Sequence, residues 1–420
     1  MKRIVALTHI GGFAIVCMLN AERAVAQDTQ TLASKDRSVT ADEASSPTAP
    51  RPGLLERTVS WTTDKMDRRG GSKDGIYPDL SAPIPGSGWL SAGVGYRHHL
   101  FGDTVVASAS ATMSTRRYSS LQSTIQWPRL MANRLTIAAQ AKYQDLPQIN
   151  YFGIGSASSK SAQTDYRLKD LDLAGSARFR AREHLAVGVR AGYLGGPGIL
   201  PGLSSIHPSI EQRFSEATAP GLTGKTRYAH ADAFVEADNL DVPGYPSSGG
   251  LYRVGLAQFQ DLSGSGRSFR RVDVDAAHYV PLFNENWIVA IRGRVTMSQD
   301  AGQGIPFYLL PTLGGTNSLR GYSDYRFRDR NVAFVNVEYR WPVFRMLDAA
   351  LFVDGGSVGP KAASLWQGRP HHDYGFGLRA HTATKSIARI EFAKGSEGVR
   401  VVASISAPFG ASRSVAPYVP

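Results

Sequence analysis

The sequence predicts an all-β protein: a transmembrane antiparallel β-barrel of sixteen strands, with one loop at residues 299–322 folded inward. Three observations carry this. From residue 88 onward, segments of about 10–15 residues alternate apolar with polar or small side chains, and Gly, Pro, Asn, Asp and Ser separate them. Aromatic residues stand at strand ends, among them Trp287, Tyr339, Trp341 and Phe409, as an interfacial girdle requires. Short turns alternate with long connections such as 196–225 and 299–322. No apolar run beyond the N-terminal region reaches the roughly 18 residues of a membrane helix, whereas a spanning strand needs only about 9–11 residues with every second one apolar. A soluble β-sandwich would alternate too; the girdle, the loop asymmetry and the export signal favour the membrane barrel.

Residues 1–26 read as a secretory signal. Lys2 and Arg3 form a basic start, an apolar stretch runs from Ile4 to Leu19, and Ala24-Val25-Ala26 offers an A-x-A cleavage site. A membrane anchor is disfavoured because Thr8, His9, Gly11 and Gly12 interrupt a short run. Lipidation at Cys17 is disfavoured by the bulky Val16 before it. Cys17 is the one cysteine and leaves with the signal, so neither disulfides nor cysteine metal sites are expected.

Residues 27–87 are expected to be a disordered or linker segment. Up to residue 52 they are rich in Ser, Thr, Ala, Asp and Pro, a composition that cannot bury a core. Residues 53–87 add only a few apolar side chains (Leu54, Leu55, Val59, Trp61), for which a short lumen-plugging helix around Leu54–Trp61 is the alternative reading.

The barrel itself is assigned to 88–409, and 410–420 to a C-terminal tail. Fifteen strand segments can be read: 88–98, 103–113, 117–127, 134–144, 165–181, 184–195, 226–239, 249–261, 268–281, 286–298, 330–342, 347–356, 372–382, 386–394 and 398–409. A single-chain bacterial barrel with both termini on one side needs an even number. Sixteen is therefore expected, the extra strand lying N-terminal to residue 88 or within 145–170.

Strand parity separates lipid from lumen. In 332–341, Ala333, Val335, Val337, Tyr339 and Trp341 share one face, and Asn336, Glu338 and Arg340 the other. In 347–354, Leu347, Ala349, Leu351 and Val353 oppose Asp348 and Asp354. In 286–296, Trp287, Val289, Ile291 and Val295 oppose Arg292, Arg294 and Thr296.

The formal net charge is +12, but the basic residues are spread along alternating strands and loops. Nucleic acid is therefore not the expected partner; outer-membrane lipid and anionic lipopolysaccharide are. Ala219-Pro-Gly-Leu-Thr-Gly224-Lys225-Thr226 matches a relaxed phosphate-loop pattern. It lacks the buried strand before it and the helix after it that phosphate binding needs. There is no G-x-S-x-G elbow and no H-E-x-x-H pair. His98-His99 and His371-His372 are expected in turns or loops. No catalytic, cofactor or metal site is expected, and the protein is not read as an enzyme.

One segment needs a separate reason. Residues 313–331 have no strand or helix periodicity, yet they lie between two well-patterned strands and carry Gly314, Gly315 and then Ser318-Leu319-Arg320-Gly321-Tyr322. A guanidinium stays charged and offers a planar fork suited to carboxylates. Glu338 and Asp354 fall on the inward faces of the next two strands, and Gly375 and Gly377 leave clearance at the lumen wall of the one after. The inference is a loop folded into the lumen, with Arg320 pairing to one or both acids. This would fix the loop more than it would stabilise the protein.

The Leu319-Arg320-Gly321-Tyr322 tetrad, Val335-Asn-Val-Glu338-Tyr-Arg-Trp-Pro342, Leu351-Phe-Val-Asp354-Gly-Gly356 and Asp241-Val-Pro243-Gly-Tyr-Pro246-Ser-Ser-Gly249 together resemble the outer-membrane assembly and translocation barrels related to BamA and TamA, the bacterial surface antigen family. The likeness covers residues from about 226 and is strongest over 310–409. It implies sixteen strands, a sixth outer loop returning inside with its arginine on acids matching Glu338 and Asp354, and a weak seam between first and last strands. It also implies a terminal recognition strand at 398–409 ending on Phe409. Residues 27–87 lack the βααββ pattern of the periplasmic POTRA domains such proteins carry. The expected function is assistance in inserting or translocating protein or lipid at the bacterial outer membrane, with client outer-membrane proteins or a separate periplasmic partner. The alternative is a passive pore or structural surface barrel.

Overall fold

A computed structural model describes residues 74–88, 90–283, 286–367, 370–382, 385–405 and 409. The signal at 1–26, residues 27–73 with the candidate helix at Leu54–Trp61, and the tail at 410–420 lie outside the described residues.

The chain runs through β1 (Gly75–Pro78), β2 (Ser91–Leu100), β3 (Val105–Ser114), β4 (Ser119–Leu130), β5 (Leu135–Tyr151), β6 (Thr164–Arg182), β7 (Leu185–Pro201), β8 (Tyr228–Asp238), β9 (Gly249–Asp261), β10 (Phe269–Leu282), β11 (Trp287–Asp300), β12 (Thr312–Leu313), β13 (Phe327–Arg328), β14 (Asn331–Phe344), β15 (Leu347–Gly359), β16 (His371–His381), β17 (Ser386–Gly395) and β18 (Gly398–Ser404). Sixteen of these form one antiparallel sheet in chain order, skipping only β12 and β13. Those two pair with each other as a small hairpin inside the connection between β11 and β14. Each of the fifteen segments read from the sequence overlaps one strand of the large sheet.

The remaining strand is β1, N-terminal to residue 88 and inside the segment read as linker. It pairs over four residues, Gly75 with Arg97 through Pro78 with Val94. Four residues bounded by Gly and Pro are too few for alternation to register. At the other end β18 stops at Ser404, short of the expected 409. Phe409 therefore does not belong to the outward girdle or to the terminal strand. It is buried against Tyr279, Ile288 and Ala290 of β10 and β11.

Alternation decides which way each side chain points. On β14, Val335 and Val337 are exposed while Asn336, Glu338 and Arg340 are buried. On β15, Leu351 and Val353 are exposed while Phe352 and Asp354 are buried. An outer face of exposed Val, Leu, Ile and Phe over sixteen strands is far larger than the apolar patch a soluble monomer tolerates, and lipid is the solvent that suits it. Trp287, Tyr339 and Trp341 group on that face, the first two rings 5.7 Å apart and the last two 5.6 Å.

The two ends of the barrel differ. At the turn end the connections are short, such as 183–184 and 345–346, with 239–248 the exception; the loop end carries the long ones, 202–227 and 301–330, beside the short 115–118 and 396–397. β5, β6 and β7, with 17, 19 and 17 residues, overrun the length a bilayer needs and project at the loop end. There the inward faces and the loops build an apolar core from Leu146, Tyr151, Tyr166, Phe307, Tyr308 and Leu309. Phe307 sits edge-on to Tyr151 and Tyr166, with ring centroids 5.0 and 4.9 Å away.

Candidate functional site: the inward loop and its charged wall

The connection between β11 and β14 turns back into the lumen. Gly314 and Gly315 make the turn, with φ of 114° and 95°, a left-handed region that favours glycine. A Cβ on Gly315 would also lie 2.2 Å from the Asp324 carboxylate. The Gly315 amide donates to the carbonyls of Leu319 (3.0 Å) and Tyr322 (3.2 Å), so the tip is a compact turn. Leu319 anchors it in a buried cluster with Leu313, Tyr322, Phe327, Val332 and Val358.

Three successive carbonyls at the tip are each held from a different strand. Arg389 of β17 donates to Thr316 (3.1 Å), Arg292 of β11 to Asn317 (3.4 Å), and Asn336 of β14 to Ser318 (2.6 Å). Above the two-residue β12–β13 ladder at its base, the tip is thus ordered by donors on the wall.

Arg320 is the centre of the arrangement. Its Nε and Nη2 form a fork on Asp354 at 2.8 and 2.7 Å, and its Nη1 donates to Glu338 at 2.8 Å. Both sequence-predicted acids meet it. The same Nη1 reaches a third acid, Glu391, at 2.8 Å. Arg379 doubles the pattern, donating to Glu338 at 2.8 and 2.6 Å and to Glu391 at 2.7 Å, and Arg389 lies 3.1 Å from the other Glu391 oxygen. All six of these side chains are essentially inaccessible. Burial removes water from every charge, so each must be answered by a neighbour, and the result is a lattice of alternating signs.

Glu391, Arg379 and Arg389 are absent from the sequence-derived site. Parity would have found them: Asp373, Gly375, Gly377 and Arg379 share one face of β16, and Arg389, Glu391 and Ala393 one face of β17. Asp373 is buried directly across the ladder from Asp354.

The glycines show how the loop comes so close. A Cβ on Gly321 would lie 2.6 Å from the Asp373 side chain and 2.7 Å from the Gly395 amide. One on Gly375 would lie 2.1 Å from the Phe392 carbonyl and 2.5 Å from the Phe352 ring, and one on Gly377 2.8 Å from Arg379. Tyr322 lies over Gly395; its hydroxyl donates to the His372 carbonyl at 3.2 Å and lies 3.0 Å from the Ser396 hydroxyl.

The phosphate-loop-like stretch at 219–226 is turn and bend leading into β8, and its Ala219 belongs to the outer core. His98 and His99 lie near the end of β2 and His371 and His372 open β16, so neither pair is in a turn, and among the described residues no group of His, Cys, Asp and Glu is arranged to hold a metal ion.

A sixteen-stranded antiparallel sheet with a lipid-facing exterior and a loop pinned inside by a buried arginine defines an outer-membrane β-barrel of the protein assembly and translocation type. The family model described as the Omp85 superfamily domain matches residues 100–397, and the chain belongs to that superfamily. The fold is similar to the crystal structure of BamA from Haemophilus ducreyi lacking POTRA domains 1–3, with 15% identity, 82% of this chain and 78% of that one covered, and a TM-score of 0.57. It is also similar to CdiB from Escherichia coli, with 11% identity, 83% and 70% covered, and a TM-score of 0.52. Omp85 barrels serve outer-membrane protein insertion or secretion.

Proposed function

We propose that this barrel works in the bacterial outer membrane by assisting insertion or translocation of protein or lipid, and that it does not act as a passive pore. The supporting observation is the filled lumen. Towards the loop end, Phe307, Tyr308 and Leu309 pack with Tyr151 and Tyr166, and Arg328 reaches in to donate to the Phe307 carbonyl at 2.9 Å. Below them the inward loop is pinned by Arg320, Glu338 and Asp354. A general solute channel needs a continuous wet path, whereas this interior spends its polar groups on holding a loop. In this reading a secretory signal delivers the chain, lipopolysaccharide and lipid surround it, and client outer-membrane proteins or a separate periplasmic partner complete its activity.

Depletion tests the reading. Loss of this barrel should lower the amounts of particular outer-membrane or surface-exported molecules. Unchanged levels of outer-membrane proteins and lipopolysaccharide, with steady open steps in planar bilayers, would instead establish the passive pore.

A further inference from the structure

Six of the turn-end connections, among them 101–104, 131–134 and 382–385, have at most four residues, but the one joining β8 to β9 runs from 239 to 248. It does not hang free. Asp241 organises it from within, receiving the Ser247 amide at 3.1 Å and the Ser247 hydroxyl. The Asn239 side chain accepts the Gly250 amide at 2.8 Å. Gly249 has φ of 86°, and a Cβ there would lie 2.1 Å from the Asn239 carbonyl.

The tip of this connection touches strands far round the barrel. The Tyr245 ring is stacked on His381 of β16 with centroids 4.3 Å apart and planes at 12°, and Arg340 of β14 lies 4.8 Å from the ring centroid. The Tyr245 hydroxyl donates to Asp348 of β15 at 2.5 Å, and His381 lies 3.1 Å from the other oxygen of that carboxylate. Arg340 donates to the Pro246 carbonyl at 2.6 Å, and the Ser386 amide of β17 donates to Gly244 at 3.2 Å. The strands contacted are all on the wall that carries the Arg320 lattice, and each contact is with an inward residue or a strand end. Arg340 follows Glu338 on the same inward face, so the tip lies about 7 Å below the lattice at the rise of a β-strand. Leu240 packs beside it against the cluster that holds the buried Phe409.

We infer that residues 239–248 are a strap drawn across the turn end of the lumen, latched by Tyr245, and that the latch controls access from that side to the tip of the inward loop. Asn317, at the tip, is exposed and offers a reporter there. The inference stands whatever the barrel carries.

The test uses the full chain with Cys17→Ala and Asn317→Cys, purified and refolded, and maleimides of increasing size. With the strap latched, a small maleimide labels and a polyethylene-glycol maleimide of a few kilodaltons labels slowly. Tyr245→Ala, which removes the stack and the hydrogen bond, should raise the rate of the large reagent tenfold or more and leave that of the small one within about twofold. Tyr245→Phe keeps the ring on His381 and should give a smaller rise; it carries the test alone if Tyr245→Ala does not fold. Unchanged large-reagent rates in the folded variants would overturn the inference, as would equal rates for both reagents without any substitution.

Discussion

Arg320 and Phe352 are stacked: the guanidinium carbon lies 3.5 Å from the centroid of the ring. The arginine is therefore gripped on its edge by carboxylates and on its face by an aromatic, two demands that a planar delocalised cation meets and an ammonium does not. Phe352 lies inward on β15, two residues before Asp354, so one strand supplies both grips.

The stack needs Gly375. A methyl group there collides with the Phe352 ring and a fixed backbone carbonyl. Gly375→Ala is expected to displace the ring, loosen Arg320 and cost about 1–3 kcal/mol through overpacking. The barrel should unfold at a lower temperature in gels that resolve the heat-resistant folded form. A shift equal to that of an outward substitution such as Val353→Ala would mean that the ring has room to move.

Arg320→Ala leaves Asp354, Glu338 and Glu391 with Arg379 and Arg389 as their remaining cations. Breaking a buried pair from one side costs roughly 3–5 kcal/mol. Arg320→Lys restores the charge but not the fork or the stack, so it should recover only part of this. Protease access to 299–322 in native membranes reads the loop directly, in the expected order wild type, lysine, alanine. Equal protection in all three would show that the carbonyl contacts at Thr316, Asn317 and Ser318 suffice.

Much of this was legible in the sequence because a barrel strand has a two-residue period and few alternatives. Arg320, Glu338 and Asp354 could be placed together once parity had assigned Val337 and Val353 to the lipid. Period fails where a strand is too short, as at Gly75–Pro78, or where the chain leaves the sheet, as after Ser404. Phe409 looked like a girdle residue because its spacing continues the outward series; nothing in that spacing says that the chain has already turned into the lumen. Glu391 and Arg379 were missed for a different reason. Two acids are enough to satisfy one arginine on paper; parity places Arg379, Arg389 and Glu391 inward as well, and the crowding of the wall shows why the acids need those further cations.

Phe307 is buried in the core at the loop end of the lumen, where its ring meets Tyr151, Tyr166 and Tyr308 and the Arg328 guanidinium carbon lies 5.7 Å from the ring centroid. Phe307→Ala should destabilise the folded barrel by about 3–5 kcal/mol and open a gap in the outer core. In planar bilayers the variant is expected to conduct in bursts where the parent is closed. A silent variant with normal folded mobility would indicate that the neighbouring loops collapse to fill the space.

The inward loop is tied to β18, at one end of the sheet, and to the connection that joins β1 to β2 at the other. On one side Arg400 of β18 donates to the Tyr322 carbonyl at 2.6 Å and pairs with Asp324. On the other, the Tyr325 hydroxyl donates to the carbonyl of Pro85, midway along the β1–β2 connection, and the Asp324 side chain fills the space where Gly86 would carry a Cβ. Asp324 and Tyr325 are adjacent, so one dipeptide touches both β18 and the connection leading out of β1. Spin labels at Ile76 and Val399, outward residues that are 70% and 69% exposed, report the separation of those strands. Arg400→Gln removes one tie and Tyr325→Phe the other, and each should broaden the distance distribution, with the double variant broadest. The two ties act in series, so either single change should deliver most of the effect and the double variant only a little more. A narrow distribution in all three would mean that the end strands hold each other without the loop.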